Sequence, residues 1–298
     1  MSGSSTSSLR AALLLILAAL ALLLALPAAA PARIGDWDHA WEVVQLVRLT
    51  PPRGTPIFYL GDSTARESTV RDALWTLQLR RRAAAAGRTT ATLVFTLASH
   101  NQTFGMDGQL IAAMPPREPH TPRGIAVIGV GLSRFIGPPI QRQRAAVTGA
   151  APVLHLWNQH RYAYRVPLSL RRKHELVPRW MRRRWPGFQR NLRQNLRAVS
   201  RLITLCRGKG LRPVLLNLPL DLRVVGHGLD RPRIAYGAGC RRLARRYHVP
   251  YLSLAGPAPI PTSSFWDLMH LLPPGSQVWQ SRLSGRLAKL LPTKQPLL

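Results

Sequence analysis

Acidic residues are what this sequence has least of. Twelve Asp and Glu stand against 42 Lys and Arg, a formal charge of +30 over 298 residues. Such a balance attracts polyanions: nucleic acid, anionic lipid headgroups or acidic envelope polymers. A general bias towards Arg and Ala would give the same basic surface with no partner implied. No zinc-finger spacing or nucleic-acid-binding signature is present, so nucleic acid is not an expected partner. Cysteine is nearly absent too. Two residues, Cys206 and Cys240, are too few for a disulfide scaffold. No Cys/His cluster has metal-ligand spacing, and no cofactor is expected.

One long apolar run is present. Ala11 to Leu26 is unbroken, with Arg10 before it and Pro27-Ala28-Ala29-Ala30-Pro31 after it. It is too apolar all round for a surface helix. It sits at the upper edge for a signal-peptide core and just short of a membrane span. Residues 1–32 therefore read as an export segment, either cleaved near Ala28-Ala29-Ala30 or kept as an anchor holding the membrane through residues 11–30. A buried core helix is the bland alternative. Both export readings place the remainder outside the cytoplasm, periplasmic or at the cell surface. About 265 residues remain, enough for one α/β domain with an insertion.

Residues 33–54 read as a linker with a short amphipathic helix carrying Trp37, Trp41, Val44 and Val47. From residue 55 to 298 the pattern is that of one domain. Apolar or β-branched runs at 56–60, 90–97, 125–130, 213–218 and 251–254 alternate with helical periodicities. The first helix shows Val70, Leu74 and Leu77 at helical spacing. Later ones carry Leu192, Leu196, Val199, Ile203 and Cys206, then Cys240, Leu243, Ala244 and Tyr247, then Val278, Leu283 and Leu287. Strands alternating with helices predict a parallel sheet. Crossovers around the fourth strand should set the two cysteine-bearing helices side by side. Cys206 and Cys240 then either pair in an oxidising compartment or remain separate buried thiols. Residues 135–187 are the least regular part, rich in Pro, Trp and Arg, and read as an insertion over or beside a site. Its aromatics, Trp157, Tyr162, Tyr164, Trp180 and Trp185, suit sugar stacking, a membrane interface or plain packing.

Two short motifs carry chemistry. The first apolar run ends in Gly61-Asp62-Ser63, and Thr64 with Glu67 has capping-box spacing. That is strand, sharp turn, helix, with a serine held at the C-terminal sheet edge where open α/β folds place ligands. About 200 residues later comes Asp267-Leu-Met-His270, then Leu-Leu-Pro-Pro-Gly275 before a last helix. Serine, histidine and aspartate are the groups of a nucleophilic triad. Either motif alone is ordinary: a serine in such a turn is usually a cap, and Asp-x-x-His is usually surface.

Together, in this order, they resemble the SGNH (GDSL-type) hydrolases over roughly residues 55 to 292. The resemblance implies a three-layer, flavodoxin-like α/β fold with a central parallel sheet of about five strands. It also implies an acyl-enzyme mechanism with Ser63 as nucleophile, His270 as general base and Asp267 orienting the imidazole. Asp62, beside the nucleophile, is expected to brace the turn rather than to serve as the catalytic carboxylate. The family builds its oxyanion hole from the serine N–H, a glycine N–H after strand two and an asparagine after strand three. Here the Ser63 N–H is available by position, and Asn101 and Gly105 follow strand two. After strand three the chain reads Gly129-Val130-Gly131-Leu132, with no asparagine, so Ser63, Asn101 (through its side chain), Gly105, Gly129 and Gly131 are the candidate oxyanion-hole or substrate-binding residues. One missing donor typically costs ~10²–10³ in rate. His100 and Arg134 border the same edge as candidate substrate contacts.

Two functions from different classes follow. One is an exported serine esterase or O-acyltransferase acting on an acyl ester, such as an O-acetyl group of an envelope polysaccharide. The other is a catalytically weak or inactive relative binding an anionic envelope polymer or a membrane partner.

Overall fold

The computed structural model describes residues 36–118, 123–140, 164–254 and 259–293. The apolar run at Ala11–Leu26, Trp157 and Tyr162 lie outside the described residues. Among the described residues, no helix is long and apolar enough to cross a membrane.

Five parallel strands form one sheet in the order β2-β1-β3-β4-β5: β1 Thr55–Gly61, β2 Thr92–Ala98, β3 Gly124–Val130, β4 Leu211–Asn217 and β5 Tyr251–Leu252. This is the flavodoxin-like order, with its switch point beside β1. The helices are α1 Asp36–Leu49, α2 Ser63–Arg66, α3 Asp72–Ala85, α4 Phe104–Ala113, α5 Leu170–Arg183, α6 Trp185–Gly208, α7 Leu222–Val225, α8 Asp230–Arg246 and α9 Pro273–Ala288.

β1 and β3 are buried throughout and β2 and β4 largely so, and their two-residue period sorts side chains between two cores. Phe58 and Leu60 of β1 enter a large cluster with Trp37 of α1, Leu110 of α4, Val199 and Ile203 of α6 and Cys240 of α8. Ile57 and Tyr59 enter a second cluster with Trp75 and Leu79 of α3 and Trp279, Leu283 and Leu287 of α9. Three layers result.

Several local expectations shift. The helix after Ser63 is two helices, not one. Ser68 breaks it: its hydroxyl bonds the Ala65 carbonyl at 2.7 Å and the Tyr59 hydroxyl at 2.9 Å, competing with the backbone ladder. The helix restarts at Asp72, whose carboxylate is tied to Thr96 N and Oγ1 at 2.9 and 2.6 Å. That tie rotates α3, so Leu74 and Leu77 are 55% and 51% exposed while Trp75 and Leu79 are buried. In α9, Val278 likewise faces out and Trp279 faces in. The described part of the insertion is mostly helical, α5 and the start of α6. Trp180 and Trp185 pack on Phe188, which favours the packing reading of those aromatics. Cys206 and Cys240 are separate, buried free thiols.

Candidate active site

The turn after β1 is built by three residues with distinct tasks. Gly61 is needed because α2 folds back hard: a Cβ there would lie 2.3 Å from the Ala65 Cβ. Asp62 is the N-cap of α2, its Oδ1 accepting from Thr64 N at 3.0 Å. The cap is therefore Asp62 rather than the Thr64–Glu67 box. Asp62 Oδ2 also accepts the Ser133 hydroxyl at 2.5 Å, tying the turn to the loop after β3. Ser63 follows as the first helical residue, where backbone N–H groups have no intrahelical acceptor.

His270 reaches Ser63 from a loop. Phe265 and Leu271 form an isolated antiparallel bridge, and Trp266 N donates to the His270 carbonyl at 2.8 Å. Inside that loop Asp267 Oδ1 accepts the N–H groups of Met269 and His270, both at 2.8 Å. This Asx-type turn presents the carboxylate to the imidazole. His270 Nδ1 lies 3.0 Å from each Asp267 oxygen, and Nε2 lies 2.9 Å from Ser63 Oγ. Tyr164 and Trp266 stack with centroids 3.4 Å apart and both meet the imidazole edge-on at 5.8 and 5.9 Å.

Burial alone would lower the His270 pKa. The Asp267 carboxylate on Nδ1, helped by Asp62 and Glu67, overcomes it and holds the imidazole above its ordinary value. Burial would likewise raise Asp267, yet the bonds from the His270 ring and the two backbone N–H groups hold its carboxyl below the usual range. The aspartate stays ionised, the Nδ1 proton is fixed, and Nε2 is left to accept from the serine. That is the geometry by which a hydroxyl becomes a nucleophile.

The constellation opens into a cavity of about 800 Å³. Of the oxyanion candidates, Asn101 lines it and adopts a left-handed φ of 56° at the tip of the loop after β2. Beneath it, Gln102 bonds the Leu97 carbonyl and Asp107 Oδ1, each at 2.7 Å. Gly105, Gly129 and Gly131 are not among the lining residues. Gly105 lies against the Pro139 and Ile140 carbonyls, and Gly129 and Gly131 against Leu218. Their missing side chains make room for neighbouring backbone and core, not for substrate.

His100 also lines the cavity. Arg134 does too, but its guanidinium is committed. It donates to Asp107 Oδ2 and the Gly129 carbonyl, both at 2.8 Å, and lies 4.1 Å over the Phe104 ring. It braces the site from below.

Three contributors escaped sequence reasoning. Ser133 enters the cavity in the register Gly131-Leu132-Ser133, two residues beyond the one read. The Tyr164–Trp266 stack has no local signal. The third is the inner face of α5, within the insertion expected over or beside the site: Leu176, Arg179, Trp180 and Arg183 line the cavity at i, i+3, i+4 and i+7, a helical pattern the sequence carries but that was not read.

Fold and site together define an α/β protein with a serine–histidine–aspartate chain at the C-terminal edge of a parallel sheet. The chain is similar to solved lipase and esterase structures. One is a lipase/acylhydrolase from Enterococcus faecalis, 12% identical at TM-score 0.43, covering 81% of this chain and 99% of that one. A carbohydrate acetylesterase from Sinorhizobium meliloti is 10% identical at TM-score 0.43, covering 80% and 100%. A GDSL-like lipase from Bacteroides thetaiotaomicron is 8% identical at TM-score 0.43, covering 85% and 100%. No protein-family model and no curated protein matches the chain. The chemistry is argued from the distances above, since likeness at this level says nothing about a reaction.

Proposed function

We propose that this protein is a serine esterase or O-acyltransferase working through an acyl-enzyme. One observation carries the reading: Ser63 Oγ, His270 Nε2 and Nδ1, and the Asp267 carboxylate form a continuous hydrogen-bonded chain facing a cavity. Ser63 Oγ attacks the ester carbonyl as Nε2 takes its proton. The resulting imidazolium is stabilised by Asp267 and returns the proton to the leaving alkoxide. Water then releases the acyl group in an esterase, and a sugar or other hydroxyl takes it in a transferase. The Ser63 N–H and the Asn101 side chain are the donors offered for the oxyanion. An O-acetyl group of a cell-envelope glycan is the proposed substrate, and export through residues 1–32 is the proposed route to it. The apolar N-terminal run and the basic charge support both.

The second reading is a binding protein with a weakened centre. It is favoured by Ser133, whose hydroxyl is donated to Asp62 and so is not offered to an oxyanion. One experiment separates the two. The protein is treated with a fluorophosphonate and the adduct mapped by mass spectrometry. An adduct on Ser63 that is lost in His270→Ala supports the esterase reading. A folded protein with no adduct rejects it for the binding one.

A further inference from the structure

Arg179, Arg183 and Arg184 line the same cavity as Ser63 and His270. All three are exposed, and among the described residues none of their guanidinium groups has a hydrogen-bond or ion-pair partner. The stretches of sequence outside the described residues carry no Asp or Glu. The two carboxylates lining the cavity are already engaged, Asp62 with Thr64 N and Ser133, Asp267 with the His270 loop. Among the described residues, the arginine wall faces the cleft without an internal counter-ion.

The wall is also held in place. Lys173, 1% exposed along its side chain, sits on the buried side of α5. Its Nζ donates to the Thr262 and Phe265 carbonyls, both at 2.6 Å, and lies 3.7 Å from Asp221. Leu168 N donates to the Trp266 carbonyl at 2.9 Å just ahead of the helix. The helix bearing the arginines is thus fastened to the loop bearing Asp267 and His270. Trp180, buried in the main core, anchors its far end.

From this geometry we infer that the cleft selects anionic acyl esters. Arg179, Arg183 and Arg184 hold a carboxylate, sulfate or phosphate carried by the substrate beside its scissile ester. Guanidinium groups suit this because they stay charged and bind planar or tetrahedral oxyanions through paired N–H donors. Arg179 and Arg183, one helical turn apart on the cleft-facing side, act on one bound anion, and Arg184 completes the rim. The inference rests on the serine esterase reading and specifies its substrate.

The test uses the whole chain and two acetate esters with similar leaving groups, 2-naphthyl acetate and its 6-sulfonated form. Each kcat/KM is divided by the rate of hydroxide hydrolysis of that ester. Wild type should favour the sulfonated ester by about tenfold at low ionic strength, which is about 1.4 kcal/mol. Added salt should shrink that ratio. In Arg179→Ala/Arg183→Ala/Arg184→Ala the ratio should fall to near one. A control bearing Arg242→Ala, Arg245→Ala and Arg246→Ala, exposed residues near the end of α8, loses the same formal charge and should keep the wild-type ratio. A wild-type ratio near one overturns the inference, as does an equal fall in the control, which would make the effect one of net charge. If neither ester is turned over, the esterase reading fails by itself. Calorimetric titration of Ser63→Ala then decides. Tighter binding of the sulfonated ester that is lost with the three cleft arginines upholds the anion site; equal binding of both esters refutes it.

Discussion

Replacing Asp267 by Asn tests the central reasoning with the least disturbance of shape. In the native loop, Oδ1 accepts two backbone N–H groups at 2.8 Å while both oxygens lie 3.0 Å from His270 Nδ1. An asparagine keeps its Oδ1 on those backbone donors, which puts an NH₂ where Oδ2 stood. That group can only donate, so it favours the imidazole tautomer with the proton on Nε2. Nε2 then donates to Ser63 instead of accepting from it, and the serine loses its base. The expected fall in kcat is ~10⁴, the scale seen when a triad aspartate is amidated, or about 5.5 kcal/mol of barrier. A second signature follows from charge. The carboxylate holds the His270 pKa above 6.5, so the wild-type acid limb should lie above that value, activity rising as the imidazole loses its proton. Without the carboxylate, burial is less opposed, and the limb of the residual activity should move down. The same shift makes the pair stabilising below pH about 6.5, a contribution that fades as pH rises through the higher folded-state value. The assay is a pH series of ester hydrolysis, with circular dichroism to confirm the fold. A folded Asp267→Asn enzyme within tenfold of wild type, with an unmoved acid limb, would refute the assignment of Asp267.

Lys173→Met should keep the volume of α5's inner face but strand the Thr262 and Phe265 carbonyls and leave Asp221 without its cation, costing about 2–4 kcal/mol in urea melts and lowering kcat; unchanged stability would show that the pin is slack. Gly61→Ala forces a methyl to within 2.3 Å of Ala65, so fluorophosphonate labelling of Ser63 should drop sharply and stability by about 1–3 kcal/mol, while normal labelling would mean the turn can yield. Burial pushes the Cys206 thiol up and that of Cys240 up to about 12. Intact mass should therefore show two free thiols that resist Ellman's reagent until the protein is unfolded, and a mass two hydrogen atoms lighter would reveal a disulfide.

What the sequence made legible was decided by how local the cause is. The β1 turn could be read because Gly61, Asp62 and Ser63 act on one another within a few residues. The Asp267–His270 pair could be read because a three-residue spacing closes the turn that joins them. The inner strands announced themselves as apolar runs because they are covered on both faces. The rotation of α3 could not be read, since it is set by Asp72 reaching Thr96 on a different element. Gly105, Gly129 and Gly131 misled for a similar reason. A glycine marks a close approach, and only tertiary structure says whether backbone, core or ligand is what approaches. The arginine wall was visible as composition, but which of so many arginines faces the serine depends on how α5 docks.

The docking of α5 has a further consequence, for modularity. The loop carrying His270 has little regular structure of its own, and three of its outside supports come from the insertion: the Tyr164 ring, the Leu168 N–H and the Lys173 ammonium. The insertion is therefore scaffolding rather than ornament. A shortened protein that joined residue 140 directly to α6 would keep the sheet and the serine yet release the histidine from its post. Any transplant of this centre to another chain would have to carry residues 164–183 with it.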